Sequence, residues 1–359
     1  MNGSMPPPEV PLADLEQVLE RTAPLWRQLS GERLFLTGGT GFMGTWLLES
    51  LVLARQRLAL DLQALVLTRD AAAFRRRAPR IARCDSIRLL EGDLGSFAAP
   101  SGSFAFAIHA ATDSSAAFQQ SQPQALAAAI VDGTRRVLEF SERAGVQEFL
   151  YLSSGAVYGP QPPELSHLAE DYAYAPDALD QASVYAQSKR LAEALCVAAG
   201  SARLRPKIAR CFAFVGPLLP LDGHFAVGNF IRDAAAGGPI RVRSDGRPLR
   251  SYMHAVDMVA WLLTLLLRGT AGRAYNVGSD QPVTIGELAR LVAVAAQPPL
   301  TVEIRDLAGS GPAPRYVPSV ERARHELGLE LAVALPEALR RTLYWARRAP
   351  AAIQFPEAC

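Results

Sequence analysis

Thr37-Gly38-Gly39-Thr40-Gly41-Phe42-Met43-Gly44 is the stretch that decides the fold. It follows a predicted strand at residues 33–37 and leads into a predicted helix at 43–53. Glycine at every third position permits a tight turn and close backbone approach to a pyrophosphate, while the helix start adds N–H donors and a positive dipole end. A purely structural turn is the alternative, but strand, glycines and helix in this order predict a dinucleotide site.

The same alternation continues outward from this turn. Further strands are predicted at 62–68, 86–90, 104–109, 148–153 and 207–212, and further helices at 124–144 and 185–199. Alternating strands and helices predict an α/β fold, a Rossmann-like doubly wound parallel sheet with helices on both faces. We therefore divide the chain into an N-terminal extension and helix (1–30), a dinucleotide-binding domain (31–212) and a smaller C-terminal α/β lobe (213–359), which would mainly bind substrate and could return elements to the sheet.

Composition narrows the functional classes. The 359 residues carry a formal net charge of +2, which does not favour nucleic acid or an anionic membrane as a partner. The apolar stretch 259–267 is too short to span a bilayer, and the first residues lack a signal-peptide pattern. Cys84, Cys196, Cys211 and Cys359 show no metal-ligand spacing, so we predict no metal site, reduced thiols and a cytoplasmic location.

Two strand ends offer cofactor contacts. An acidic residue after the second strand favours NAD, whereas an arginine there favours the 2′-phosphate of NADP. Arg69 and Asp70 supply both, so the cofactor is predicted as NAD or NADP. Asp93 follows the third strand, where its carboxylate would either meet the adenine amino group or serve a local turn.

Tyr185 and Lys189 lie four residues apart in a predicted helix, so their side chains share one face. A neighbouring ammonium group and a nicotinamide cation would lower the pKa of the phenol, which could then accept a hydroxyl proton. Ser154 ends the fifth strand, where its hydroxyl could bind the reacting oxygen. A surface i,i+4 pair and a strand-end serine are the non-catalytic alternatives.

Four motifs together resemble the extended short-chain dehydrogenase/reductase family, and more closely its nucleotide-sugar epimerases and dehydratases. They are TGGTGFMG at 37–44, HAAT at 109–112, LSSGAVYG at 152–159 and YAQSK at 185–189. The resemblance implies that Ser154, Tyr185 and Lys189 are catalytic. It also implies a homodimer built on the helices near 124–144 and 184–200. The predicted cofactor-binding residues are Gly38, Gly41, Phe42, Met43, Gly44, Arg69, Asp70, Asp93, Leu94, Ala110, Ala111, Tyr185 and Lys189.

The resemblance extends to the substrate, a nucleoside-diphosphate sugar. Asn229 matches a residue that contacts the pyrophosphate, and Arg250 matches an arginine that grips the phosphates in a motif here written RSYMHAVD. A guanidinium group suits phosphate because it can donate two parallel hydrogen bonds. Arg315 is a weaker candidate for the same diphosphate, Ser154 is also predicted to bind substrate, and a surface ion pair is the alternative for each arginine.

Two departures from the family pattern bear on the reaction. Ala213 stands where the family often has a substrate-binding asparagine. Gly155 and Ala156 follow the catalytic serine, where 4,6-dehydratases place Asp-Glu or at least a Glu and decarboxylases also keep a Glu. The resemblance therefore disfavours both reactions by their usual routes, and a dehydratase would need another acid such as Asp113, a predicted substrate-binding residue.

These observations predict an NAD(P)-dependent enzyme that oxidises a sugar hydroxyl at C4 by hydride transfer. Return of hydride to the opposite face would make it an epimerase, and net reduction of a keto-sugar would make it a reductase. A 4,6-dehydratase is the alternative. A dinucleotide-sensing protein without turnover is a second alternative, although that class typically lacks the Tyr–Lys pair.

Overall fold

The computed structural model of the chain describes residues 10–112, 120–223, 225–305 and 311–348. The strands are β1 (Arg33–Thr37), β2 (Gln63–Thr68), β3 (Ile87–Glu91), β4 (Phe106–His109), β5 (Glu148–Ser154), β6 (Arg205–Cys211), β7 (Phe214–Val215), β8 (Ile240–Val242), β9 (Leu249–Arg250), β10 (Met253–His254), β11 (Ala274–Val277), β12 (Val283–Thr284), β13 (Val302–Ile304) and β14 (Arg315–Tyr316). The helices are α1 (Leu12–Gln28), α2 (Phe42–Leu58), α3 (Ala71–Arg77), α4 (Pro79–Ala82), α5 (Pro123–Arg143), α6 (Val184–Ala199), α7 (Ala226–Ala235), α8 (Ala255–Arg268), α9 (Ile285–Ala295), α10 (Glu321–Leu327) and α11 (Leu335–Arg348).

Seven strands form one parallel sheet in the order β11-β6-β5-β4-β1-β2-β3. The strand order reverses between β1 and β4, and a crevice outside the carboxyl ends of the strands is expected at such a switch point. The Gly-rich turn follows β1, and the first residues after β4 pack directly against it at this switch point. The predicted Rossmann-like fold class is confirmed.

Side chains alternate between the two faces of the sheet, and each face has its own buried core. On β1, Leu34 and Leu36 pack into the larger core with α1, α2 and α8, whereas Phe35 packs into a second core with α5 and α6. Helix α8 is almost fully buried, which explains its continuous run of apolar residues. Both faces are thus covered, as a parallel sheet requires.

The N-terminal helix α1 is tied into the larger core. Its apolar face packs on α2 and α8, and Trp26 is buried there. Arg21 forms an ion pair with the buried carboxylate of Asp257 on α8, and Asp14 pairs with Arg341 on α11 at 2.7 Å. Helix α1 therefore stabilises the junction between the sheet and the C-terminal elements.

The C-terminal part of the chain adds one strand to the central sheet and forms several small sheets of its own. Strand β11 returns to the central sheet beside β6, while the remaining short strands form small sheets in the orders β12-β9-β14, β13-β8 and β10-β7. The division into three units stays a prediction. Among the described residues, no helix combines the length and apolarity needed to cross a membrane.

Candidate active site

The Gly-rich turn packs too tightly for side chains. Gly38 has φ +70°, and a Cβ there would lie 2.6 Å from the carbonyl carbon of Ala110. A Cβ on Gly44 would lie 2.3 Å from the carbonyl oxygen of Gly38. Helix α2 begins after Gly41 with no side-chain cap and no acidic residue in its first turn. Its N–H groups and positive dipole end therefore suit an anion such as a pyrophosphate.

The predicted contacts after β4 and at the start of α2 lie around this turn. Ala110 N–H donates to the carbonyl oxygen of Thr37, and Ala111 N–H donates to its hydroxyl oxygen, each at 3.2 Å. Phe42 and Met43 open α2 as half-buried residues that pack against the larger core. The ends of β1 and β4 are thus held together, which fixes the two walls of the crevice.

A buried polar chain lies behind the turn. The Thr37 hydroxyl is 2.7 Å from Nδ1 of His109, whose Nε2 is 3.1 Å from the hydroxyl of Thr134 on α5. Burial, and then the nearby charge of Lys189, lower the pKa of His109 to about 3, so the ring is neutral at ordinary pH. His109 was noted in the HAAT motif, but its role as a link between β1 and α5 depends on contacts distant in sequence.

The end of β2 keeps both candidate ribose contacts at the surface. Arg69 and Asp70 are exposed, and the carboxylate of Asp70 caps α3 by accepting from the Ala73 N–H at 2.7 Å. Arg77 on α3 donates to the carbonyl oxygen of Thr40 in the Gly-rich turn. Arg77 therefore brings a further positive charge beside the turn.

Asp93 and Leu94 follow β3. The carboxylate of Asp93 accepts from the Gly95 N–H at 2.9 Å, which is the local turn contact that the sequence left as one alternative. Leu94 packs against α5, where a Cβ on Gly133 would lie 3.1 Å from the Leu94 Cβ. The adenine contact stays a prediction.

Ser154 and Tyr185 meet at the carboxyl edge of the sheet. Ser154 ends β5, opposite Cys211 of β6, and its hydroxyl accepts from the Ala156 N–H at 3.1 Å. Tyr185 lies in the first turn of α6. Burial raises the pKa of Tyr185 to about 12, and a hydrogen bond with Ser154 opposes that rise. Tyr185 can therefore act as a base near neutral pH only if positive charge beside it lowers its pKa.

The Lys189 ammonium group lies at the carboxyl ends of β4 and β5. Its Nζ donates to the hydroxyl of Thr112 and to the carbonyl oxygen of Leu152, both at 2.8 Å, and lies 4.9 Å from the ring centroid of Tyr151. Burial lowers its pKa to about 8. Thr112 belongs to the HAAT motif, but sequence spacing gave no sign that it accepts from Lys189.

The space beside Gly155 is filled by aromatic side chains that are distant in sequence. A Cβ on Gly155 would lie 2.5 Å from the hydroxyl oxygen of Tyr316 on β14 and 2.7 Å from Cζ of Phe212. The rings of Phe212 and Tyr316 pack with centroids 4.6 Å apart. Sequence reasoning passed over Tyr316, although it follows the candidate Arg315 directly.

The phosphate candidates come from three elements of the C-terminal lobe. Arg250 on β9 is in register with Tyr316 of β14, so Arg250 and Arg315 lie on adjacent strands. Within the described ranges, neither guanidinium group forms an ion pair; Arg250 donates only to backbone carbonyls. Asn229 on α7 accepts from Arg232 at 2.9 Å and donates to a backbone carbonyl at 3.1 Å.

One predicted substrate residue, Asp113, lies outside the described residues, as do Cys359 and residues 1–9 of the extension. The described part of the chain contains no cluster of His, Cys, Asp or Glu that could hold a metal ion. Its three described cysteines are buried free thiols.

Comparison with known proteins places these features in a family. The family model described as the NAD dependent epimerase/dehydratase family matches residues 34–278. UDP-glucuronic acid decarboxylase 1 of Arabidopsis thaliana is 28% identical over 315 residues, covering 86% of this chain and 68% of that protein. UDP-glucuronic acid decarboxylase 4 of the same plant is 32% identical over 212 residues, covering 58% of this chain and 46% of that protein.

Solved structures share the fold. An epimerase from Methanothermobacter thermautotrophicus superposes with a TM-score of 0.73 at 22% identity, covering 91% of this chain and 95% of that one. UDP-glucose 4-epimerase of Thermotoga maritima, solved with UDP-glucose, gives a TM-score of 0.72 at 19% identity over 88% of this chain and 99% of that one. At these identities the likeness establishes the architecture alone.

Proposed function

The chain belongs to the NAD-dependent epimerase/dehydratase family of enzymes, and from this membership we propose that it is a nucleotide-sugar epimerase or keto-sugar reductase acting at C4. The substrate is a nucleoside-diphosphate sugar. The UDP-glucuronic acid decarboxylases and the UDP-glucose 4-epimerase named above make uridine diphosphate sugars the first to test.

NAD is the cofactor that we propose for the Gly-rich turn. The close packing at Gly38 and Gly44 requires a turn without side chains at these positions, and the uncapped start of α2 leaves N–H donors that suit a pyrophosphate. When bound, NAD supplies the hydride acceptor for the sugar carbon. Arg69 and Asp70 lie where the adenosine ribose is expected, and NADP is the alternative that a binding comparison separates.

Tyr185 is the acid–base residue of the proposed reaction. It takes the proton of the C4 hydroxyl as the carbon is oxidised and returns a proton when the carbon is reduced. Ser154 donates a hydrogen bond to the same sugar oxygen, and the ammonium group of Lys189, held by Thr112 and Leu152, adds the positive charge that favours the phenolate.

The filled space beside Gly155 is the observation that favours epimerisation or reduction over dehydration and decarboxylation. In the family that the chain resembles, dehydratases and decarboxylases have an acidic side chain after the catalytic serine. In this chain Gly155 has no side chain, and the Tyr316 hydroxyl and Phe212 ring occupy the volume that one would need. Redox chemistry at C4 needs no such acid, so epimerisation or reduction suits this site better.

Arg250 and Arg315 are the groups that we propose for the substrate diphosphate. Both lie on adjacent strands of the C-terminal lobe and lack an acidic partner among the described residues. Arg250 is the stronger candidate, because its register places it on the same strand face as Tyr316, which contacts Gly155. Asn229 is a further candidate; its amide would have to exchange its present contact with Arg232 for the pyrophosphate.

A homodimer is the assembly that we propose, and a cytoplasmic location stays a prediction. Helices α5 and α6 pack side by side on one face of the sheet. Their outer surfaces expose Ala125, Ala128 and Ala129 on α5 and Leu191 on α6. The small alanine side chains leave room for a second helix pair, and Leu191 offers apolar surface that a dimer would bury.

Incubation with NAD and a panel of nucleotide sugars, followed by NMR of the products, tests the proposed function. UDP-glucose and UDP-glucuronic acid head the panel, and 4-keto sugar nucleotides with NADH test the reductase. We expect C4 epimers or reduced sugars, and no product from Tyr185→Phe. A 4-keto-6-deoxy sugar or a decarboxylated pentose would overturn the choice of reaction. NAD binding without turnover of any panel member would favour the sensing protein.

A further inference from the structure

Tyr316 stands inside the catalytic cluster although β14 is 161 residues after Gly155. Its hydroxyl oxygen would be 2.5 Å from a Gly155 Cβ, and its ring packs on Phe212. Burial raises the pKa of Tyr316, and the interaction with Ser154 opposes that rise. The nearby Tyr185 and Cys211 raise the pKa further by electrostatic repulsion. Gly155 directly follows Ser154, so the Tyr316 hydroxyl lies beside Ser154, and Tyr185 approaches the same serine from α6.

The hydrogen-bonding capacity of Ser154 limits how the two phenols share it. A serine hydroxyl has one proton to donate and two lone pairs that accept. One lone pair accepts from the Ala156 N–H at 3.1 Å. A phenol keeps its proton at neutral pH, so the Tyr316 hydroxyl, which lies beside Gly155, is placed to donate to the second lone pair.

We propose that Tyr316 is a positioning residue that donates to Ser154, so that the single Ser154 proton is directed towards Tyr185 in the absence of substrate and towards the reacting sugar oxygen when the sugar is bound. The inference rests on the proposed function for the identity of the reacting oxygen, but the arrangement of the three hydroxyls does not. Hydrogen-bond chains of this kind also strengthen one another, so Ser154 becomes a better donor when Tyr316 donates to it. Tyr316 thus fills the space beside Gly155 and fixes the direction in which Ser154 donates its proton.

A double-mutant cycle separates this role from simple packing. Tyr316→Phe keeps the ring against Phe212 and removes only the hydroxyl. We expect kcat to fall about three- to tenfold, the usual range for one hydrogen bond, with KM for the nucleotide sugar within about twofold of wild type. In a Ser154→Ala background the same change should lower kcat by less than about twofold, since the two residues act as one unit.

Tyr158→Phe is the matched control. Tyr158 belongs to the same aromatic cluster, but its hydroxyl donates to Asn276 at 2.8 Å and accepts from Arg210. Any effect of Tyr158→Phe on kcat should persist unchanged in the Ser154→Ala background. Equal losses from Tyr316→Phe in both backgrounds, or no loss in the wild-type background, would overturn the proposal.

A measurement that needs no turnover keeps this inference distinct from the proposed function. In NAD-saturated protein labelled at tyrosine Cζ, where the cofactor adds positive charge beside the phenol, the Tyr185 resonance, assigned with Tyr185→Phe, reports ionisation of that phenol. Tyr316→Phe should raise the Tyr185 titration midpoint by about half a pH unit, because Ser154 becomes a weaker donor. The shift should vanish in the Ser154→Ala background. If wild type turns over no sugar nucleotide, the proposed function fails and this titration still decides the role of Tyr316.

Discussion

The ammonium group of Lys189 lies 2.8 Å from the hydroxyl oxygen of Thr112, so helix α6 is joined to the segment after β4 directly beneath the candidate active site. Burial lowers the pKa of Lys189 to about 8, and the contact with Thr112 favours its charged form. Loss of that proton as pH rises removes the positive charge that we assign to stabilising the Tyr185 phenolate.

We expect kcat/KM to fall above about pH 8, and Thr112→Val to move this descending limb to lower pH by about half a unit. Valine removes the acceptor, so the charged form of Lys189 loses support and its pKa drops further. The measurement is kcat/KM against pH with the best nucleotide sugar. Thr112→Ser keeps a hydroxyl and should retain the wild-type limb; an identical limb in Thr112→Val would show that Lys189 does not set it.

Gly38→Ala should weaken NAD binding at least about tenfold, or about 1.4 kcal/mol, because a Cβ would press on the backbone of Ala110 and displace the turn. Gly31→Ala is the matched control. Gly31 also has positive φ, +84°, but has no neighbour within 4 Å of a Cβ. Both variants should lose about 1 kcal/mol of folding free energy through the positive φ, and Gly38→Ala should lose more because of its backbone contacts. Only Gly38→Ala should lose affinity for NAD by calorimetry. Equal affinity in the two variants would remove the turn from the cofactor site.

Leu191→Glu should convert the proposed dimer into a monomer. Leu191 is 50% exposed on the outer surface of α6, and a carboxylate in a helix-to-helix interface would be desolvated without a partner. Sedimentation equilibrium measures the change. Val294→Glu, at a position 70% exposed on α9, places the same charge elsewhere and should leave the assembly unchanged. A monomeric wild type would contradict the proposed assembly.

The sheet could be predicted because its evidence is local. Strands such as β1 and β5 are short, mainly apolar runs followed by glycine, and helices such as α5 carry a clear helical periodicity. The Gly-rich turn is equally local, since its glycines, the strand before them and the helix after them are contiguous. Ser154 could be placed at the sheet edge because parallel strands end at one edge.

The contacts that complete the candidate site could not be predicted in this way. Strand β14 is two residues long, so Tyr316 has no periodic pattern, and its approach to Gly155 depends on how the C-terminal lobe folds back. The partners of Lys189 depend on the register between α6 and two strands. The capping of α3 by Asp70 likewise required knowledge of where that helix begins.

Among the described residues, His109 and His254 are buried, and they predict how stability depends on pH. Burial lowers the pKa of His109 and of His254 to about 3, with Lys189 adding to the effect on the first and Arg341 on the second. Between the unfolded value near 6.5 and the folded value, the unfolded chain binds protons that the folded chain refuses. The stability contributed by each neutral histidine is therefore present above about pH 6.5 and lost as pH falls, at up to about 1.4 kcal/mol per pH unit.

His254→Asn should reduce this slope by the contribution of one histidine. His254 precedes α8, where its Nδ1 accepts from the Val256 N–H at 3.3 Å, and asparagine is a good substitute at a helix N-cap. The variant loses the edge-on contact with Trp46, so its stability at neutral pH should be lower. Urea unfolding at several values between about pH 6.5 and 4.5 gives the two slopes. We expect them to differ by about 1 kcal/mol per pH unit, because the other titrating groups are common to both proteins and cancel in the difference. Parallel slopes would mean that His254 takes up its proton in the folded state, and that the core around α8 admits a charge.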